Sequence, residues 1–469
     1  RGFMFFKKLC SAALPLGLAF GLFGLSACSS DEAESPVIPP TPTPVSSSSV
    51  PSDPIPVDPV PSAKTYGILP ATANPVVAQT WYAQWKATYF KTYAEEAALY
   101  PIAAQDWTHV FGPYLSLGLM PGRIVWDTSS DAYCVIEESN TTYKKRGCTV
   151  SEGVGYGMLL ALFAGDYEVL NALWTYNRGY RAYEGTTNLM PWRTGTYSYE
   201  SLGSAANKSS ATDADLDIAT ALILAYYTTG SAEYLNDALL IINDLWDEEV
   251  SPKMYLYSGN TPSWKTATSA YNLSYFSPIA LKLFALVDKN HPWTSVLDAM
   301  YSFMQNIQAA GTGVFPDWVD ENGVAINPNN NSADKTYWMF HQESVRIPWR
   351  IAWDYFWTQD PRAAQVLTIL NNFISMKSGG DPTNLETSGK VMYSAVPGLA
   401  DGTVNKLGSH WHGAWCLTGM AGAQAWLDGC TAKFNTNAMN GFSYFPHILM
   451  TMYGELLNGM FVKPAALPF

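Results

Sequence analysis

One pattern recurs down most of this chain: apolar residues spaced for the buried face of a helix. It appears at 81–98, 155–176, 215–227, 232–246, 278–287, 293–309, 349–356, 362–376, 413–427 and 445–461. Loops rich in Gly, Pro and Asn separate the repeats, as at 258–262 and 323–332. The period-two alternation of half-buried strands is scarce. Such a chain can hide its apolar stripes only by packing helix on helix. Residues 64–469 are therefore expected to form one all-α domain of paired helices around a common centre. At roughly 400 residues this exceeds the usual domain size, and repetition of one kind of element accounts for the excess.

The residues before it read differently. From 29 to 63 the chain is Pro, Ser, Val and Asp with few large apolar side chains, a composition that cannot offset its ordering entropy and is expected to act as a tether. Upstream, Lys7 and Lys8 precede an apolar run over 9–25 that ends in Leu25-Ser26-Ala27-Cys28. A basic start, a short apolar core and small residues before a cleavage point predict a secretory signal over 1–28. The ending resembles a bacterial lipobox, so cleavage before Cys28, lipid on that cysteine and anchoring at a periplasmic membrane face or the cell surface are expected. Of six cysteines, Cys10 leaves with the signal and Cys28 takes lipid. The remaining four, Cys134, Cys148, Cys416 and Cys430, allow three pairings; their grouping predicts Cys134 with Cys148 and Cys416 with Cys430. Neither pair has Cys-x-x-Cys spacing, and no metal or cofactor is expected.

A formal charge of −13 argues against nucleic acid, whose phosphates need a basic face. The 17 Trp and 28 Tyr are enough to pack a core and still leave flat faces for stacking on sugar rings. Two stretches carry the acids of interest. Residues 149–166, T-V-S-E-G-V-G-Y-G-M-L-L-A-L-F-A-G-D, hold one glutamate, Glu152, at the mouth of an apolar run, with Ser151 as a candidate helix cap. Burial there disfavours the anion and suits a general acid, while a solvated first-turn glutamate favoured by the helix dipole is the plainer reading. Residues 210–225, S-A-T-D-A-D-L-D-I-A-T-A-L-I-L-A, run three acids into a second apolar helix.

The segments S-E-G-x-G-Y-G-M and A-T-D-A-D-L-D-I-A resemble the two signature segments of glycoside hydrolase family 8, whose members are inverting, endo-acting enzymes on β-1,4-linked glycans. The resemblance implies an (α/α)6 barrel with the substrate cleft across one end. It assigns Glu152 as general acid and Asp213 to the sugar at the cleavage point, with capping as the alternative for Asp213. F-H-Q-E-S-V-R-I-P-W-R at 340–350 resembles the family segment Y-D-A-x-R-x-P-W-R, with Glu343 at the position of the base aspartate and Arg346 after it. A buried ion pair of Glu343 with Arg346 or Arg350 is the structural alternative. L-M-P-W makes Trp192 a stacking platform, and N-L-S-Y-F brings Tyr275 to the cleaved sugar; as plain residues both aromatics read as core. F-P-D-W sets Asp317 near the base segment, where Asp317 and Arg346 are expected among the substrate-binding residues, with Asp317 and Asp320 as reserve bases.

His410-Trp411-His412 lacks a third ligand at metal spacing. Gly153-Val154-Gly155-Tyr156-Gly157 is not a phosphate-binding fingerprint. The expected function is thus a surface-anchored, monomeric hydrolase of plant-wall glucan or xylan. A chitosanase, or a catalytically silent carbohydrate-binding lipoprotein motivated by the substitution at Glu343, is the alternative.

Overall fold

The computed structural model describes residues 68–469, apart from 100–102, 127–134, 140–141, 146–147, 185–186, 196–208, 267, 329–335, 387–390 and 403–407. The expected signal, lipobox and tether, and Cys134 with its expected bond to Cys148, lie outside the described residues. Helices dominate: α1 (Pro75–Tyr89), α2 (Tyr93–Leu99), α3 (Ala103–Ser116), α4 (Ser151–Phe163), α5 (Tyr167–Glu184), α6 (Thr212–Thr229), α7 (Ala232–Glu249), α8 (Pro278–Val287), α9 (Trp293–Ala310), α10 (Ile347–Thr358), α11 (Pro361–Ser378), α12 (Ser409–Leu417), α13 (Gln424–Phe434) and α14 (Tyr444–Leu457).

Their contacts close a ring. Helices α4, α6, α8, α10, α12 and α14 each touch the next, and α14 returns to α4; α5, α7, α9, α11 and α13 each pack outside the inner helix before them, and α1 packs outside α14. This is the expected (α/α)6 barrel. Sequence explains which layer a helix joins. In α4, Ser151 and every residue from Gly153 to Leu162 are buried, and in α6 every residue from Thr212 to Ala225; a helix apolar all round belongs inside. In α7 burial is confined to Tyr234, Ala238, Ile241, Ile242, Leu245 and the terminal Glu249, the stripe of an outer helix. Gly155 lets two inner helices touch, because a Cβ there would lie 3.0 Å from both Ala214 O and Asp217 Cβ.

Three sequence stretches that read as single helices are divided. The run 155–176 breaks at Gly165, whose φ of 74° is the left-handed conformation that ends α4, and Asp166 accepts from Val169 N at 3.2 Å to start α5. The runs 81–98 and 413–427 likewise divide into α1 and α2, and into α12 and α13. The expected bond between Cys416 and Cys430 is present, with Cα atoms 5.2 Å apart, and ties α12 to α13.

Since outer helices carry the chain back each time, the six inner helices run the same way. Their N-termini gather at one end of the barrel, and that end brings together residues far apart in sequence.

Candidate active site

Glu152 lies in the first turn of α4 and Asp213 in the first turn of α6. Asn272 and Tyr275 belong to a single 3-10 turn before α8, Glu343 and Arg346 to another before α10, and Tyr444 opens α14. Ser151 is not a cap as expected: it is the first helical residue, behind an extended Val150 that makes no side-chain cap. The start of α4 is fixed instead by backbone, since residues 149–150 pair with 193–194 and Ser151 N donates to Trp192 O at 2.8 Å. That pairing sets Trp192, half-buried, beside the residue before Glu152, with Trp126 edge-on to it at 6.3 Å.

The Arg346 guanidinium joins the three acids. Its Nη1 donates to Glu152 Oε2 at 2.6 Å and to Asp213 Oδ2 at 3.0 Å, and its Nη2 donates to Glu343 Oε2. The Tyr275 ring lies 5.4 Å from the same guanidinium. Glu152 also accepts from Tyr444 Oη at 3.1 Å, and Glu343 from Asn272 Nδ2 at 2.6 Å. Side-chain exposure grades the three: 2% for Asp213, 18% for Glu152 and 29% for Glu343. Glu343 is thus the acid most open to incoming water.

From sequence Glu152 had no cation near it, whereas the fold brings Arg346 against it. Burial still prevails: it pushes Glu152 up to about 7 against the pull of Arg346, helped by the charges of Asp213 and Glu343. Asp213 is pushed up to about 6 by burial, with Arg346 and Arg350 opposing. Arg350 does not pair with Glu343; its guanidinium binds Asp217 through both oxygens, Nη2 to Oδ2 at 2.8 Å, buried between α10 and α6.

Asp317, expected at the sugar, turns its carboxylate to the protein. Oδ1 accepts from His341 N at 3.1 Å, Ser344 N at 2.9 Å and Ser344 Oγ at 2.8 Å, so Asp317 braces the turn that presents Glu343 and Arg346. Asp320 caps a tight turn through Asn322 N and Val324 N. Asp317 thus lacks the open carboxylate a reserve base needs, whereas Asp320 is half-buried with both turn bonds on Oδ1. Asn272 and Tyr444 are the site residues whose roles sequence missed: Asn272 stands in the segment quoted for Tyr275 and Tyr444 at the start of an apolar helix, and the carboxyls they touch lie 71 and 292 residues away.

His410 is buried beside the base segment, its Nε2 3.4 Å from Gln342 Oε1, and burial with the neighbouring His341 lowers it to about 3, so it stays neutral. Among the described residues the grouping with metal-ligand atoms is His412, Cys416 and Cys430, within 4.8 Å of one another. The two sulfurs are bonded to each other and are not the thiolates a metal would take.

The chain resembles known proteins at this site and beyond it. It is 30% identical over 246 residues to endoglucanase C of Ruminiclostridium cellulolyticum, a match covering 51% of this chain and 49% of that protein. It is 31% identical over 288 residues to a β-glucanase of Niallia circulans, covering 57% of this chain and 68% of that one. The first match thus spans about half the relative's length. In structure the chain is similar to a β-1,3-1,4-glucanase from Paenibacillus sp. X4, with a TM-score of 0.64 at 22% identity, over 86% of this chain and 97% of that one. The family model for glycosyl hydrolases family 8 matches residues 127–395, which include Glu152, Asp213, Glu343 and Arg346, and the chain belongs to that family.

Proposed function

We propose that the protein hydrolyses β-1,4-linked glucan or xylan by single displacement with inversion. The observation that carries this reading is one guanidinium holding three carboxyl groups of graded exposure at the mouth of the barrel. Glycoside hydrolysis needs a protonated group beside the leaving oxygen and an ionised one across the ring to activate water. Glu152, raised to about 7, keeps its proton at mildly acid pH and serves as the acid. Glu343, the most exposed of the three, has donors on its Oε2 from Arg346 and Asn272 and serves as the base. Asp213, buried on Arg346, holds the sugar at the cleavage point, with the Tyr275 ring 5.4 Å from the same guanidinium and Trp192 as the stacking platform. The endoglucanase and β-glucanase relatives support a β-glucan substrate.

Product configuration followed by NMR at early time tests the mechanism. The first product from a β-linked oligosaccharide is expected in the α configuration, and Glu152→Gln and Glu343→Gln are each expected to lower kcat by about 100-fold or more with the fold intact. A β product would mean retention. A wild-type protein that binds oligosaccharide but releases no reducing ends would make it a binding protein.

A further inference from the structure

Beneath Asp213 lies a second pair of acids that this chemistry does not use. Asp215, two residues after Asp213 on α6, and Glu249, the last residue of α7, are both fully buried. Asp215 Oδ1 accepts from Met190 N at 2.9 Å, and Glu249 accepts from Ser210 Oγ through Oε1. The other oxygen of each, Asp215 Oδ2 and Glu249 Oε2, has no hydrogen-bond partner among the described residues.

The segments these acids grip carry the substrate-facing groups. Met190 lies two residues before Trp192. Ser210 lies three before Asp213, its N and Oγ exchange two bonds of 3.0 Å with Asn260, and its neighbour Ser209 accepts from Trp192 N at 2.7 Å through its carbonyl. Thr212 Oγ1 donates to Tyr257 O at 2.7 Å. Residues 190–192 and 209–213 are thus one stitched unit, held from below by two carboxyls.

Among the described residues neither carboxyl has a cation of its own. Asp213, Arg181 and Glu249 act on Asp215; Asp213 and Lys265 act on Glu249. Arg181 is bound to Asp237 at 2.6 and 2.8 Å, and Lys265 is bound to Glu248. Two buried anions facing each other without a counter-ion are untenable, so protons must stay with the pair. Burial and the charge of Glu249 raise Asp215 well above its ordinary range, and burial, with the Ser210 and Thr212 hydroxyls opposing and Asp213 adding, raises Glu249 to about 8.

We propose that Asp215 and Glu249 are positioning residues for the reaction, a proton-holding carboxyl pair that fixes the segments bearing Trp192 and Asp213 in the geometry the substrate needs. The inference rests on the hydrolase reading for its kinetic arm alone. A neutral amide can accept from Ser210 Oγ as the protonated acid does, so Glu249→Gln should keep kcat and KM within about threefold of wild type at pH 6, and Glu249→Ala should lower kcat/KM by about tenfold or more. Glu249→Gln should also flatten the decline of melting temperature between pH 6.5 and 8, because a group that must ionise has been removed. Melting curves need no substrate, so they decide on the pair even if the wild type proves inactive. A Glu249→Gln variant as impaired as Glu249→Ala, or one whose melting temperature falls with pH as steeply as wild type, overturns the proposal. So does a Glu249→Ala variant that loses stability alone while keeping wild-type kcat/KM.

Discussion

Arg346 carries one positive charge against three carboxyl groups, and the surplus is settled by protonation. Which group keeps the proton is decided by surroundings, and for Glu152 the neighbours pull in opposite directions: burial, Asp213 and Glu343 raise it, while Arg346 and the Tyr444 hydroxyl lower it. Removing the hydroxyl therefore has a definite sign. Tyr444→Phe takes a hydrogen bond from the ionised form, so Glu152 should hold its proton to higher pH and the alkaline limb of kcat/KM, near about 7 in wild type, should move upward. A limb that stays or moves down would remove Glu152 as the acid. At this scale the acids themselves were legible, because Glu152, Asp213 and Glu343 sit in motifs that can be quoted. The groups that tune them were not. Tyr444 and Asn272 meet their carboxyls only through the closed ring, and no local pattern marks a contact across 292 residues.

Helices were legible one at a time, and their layer was legible too: α4 and α6 lack a polar face, whereas α7 keeps one. Boundaries failed where two helices share apolar character across a short turn, as at Gly165, because periodicity has no term for a single left-handed residue between two apolar runs. Glycine does different work at 155. There it allows α4 to lie against Ala214 and Asp217 of α6, the contact that holds Glu152 and Asp213 at a common depth. Gly155→Ala should cost about 1–3 kcal/mol in denaturant unfolding, since the new methyl meets backbone that cannot yield, and should lower kcat more than the same change at an exposed site. Unfolding midpoints equal to wild type would show that the two helices are less tightly apposed. The inner N-termini also direct their dipoles to one end of the barrel, which favours anions there; for Glu152 the loss of solvent outweighs that attraction.

Across the whole molecule, stability should depend on pH in a way the net charge does not foretell. Glu152 at about 7, Asp213 at about 6, Glu249 at about 8, and Asp215 and Glu455, both well above the ordinary range, bind protons in the folded state that the unfolded chain has released. Stability from these groups is therefore lost as pH rises from the usual carboxyl range through the raised values. His410 and His447 are lowered by burial and act the other way, costing stability as pH falls below their unfolded value of 6.5. The interval from about 6.5 to 8 belongs to the carboxyls alone, and calorimetry should find the melting temperature lower at pH 8 than at 6.5; a flat or rising trend would mean they ionise freely in the fold. The ring has a further consequence, in the order of synthesis. Helix α1 finds its partner in α14, so Trp81, which in the finished barrel lies against Gly454 and meets Phe434 edge-on at 5.2 Å, waits on the growing chain until those last helices have been made. The first helix of the barrel is completed by the last, and the domain has no half-built state in which that face is closed.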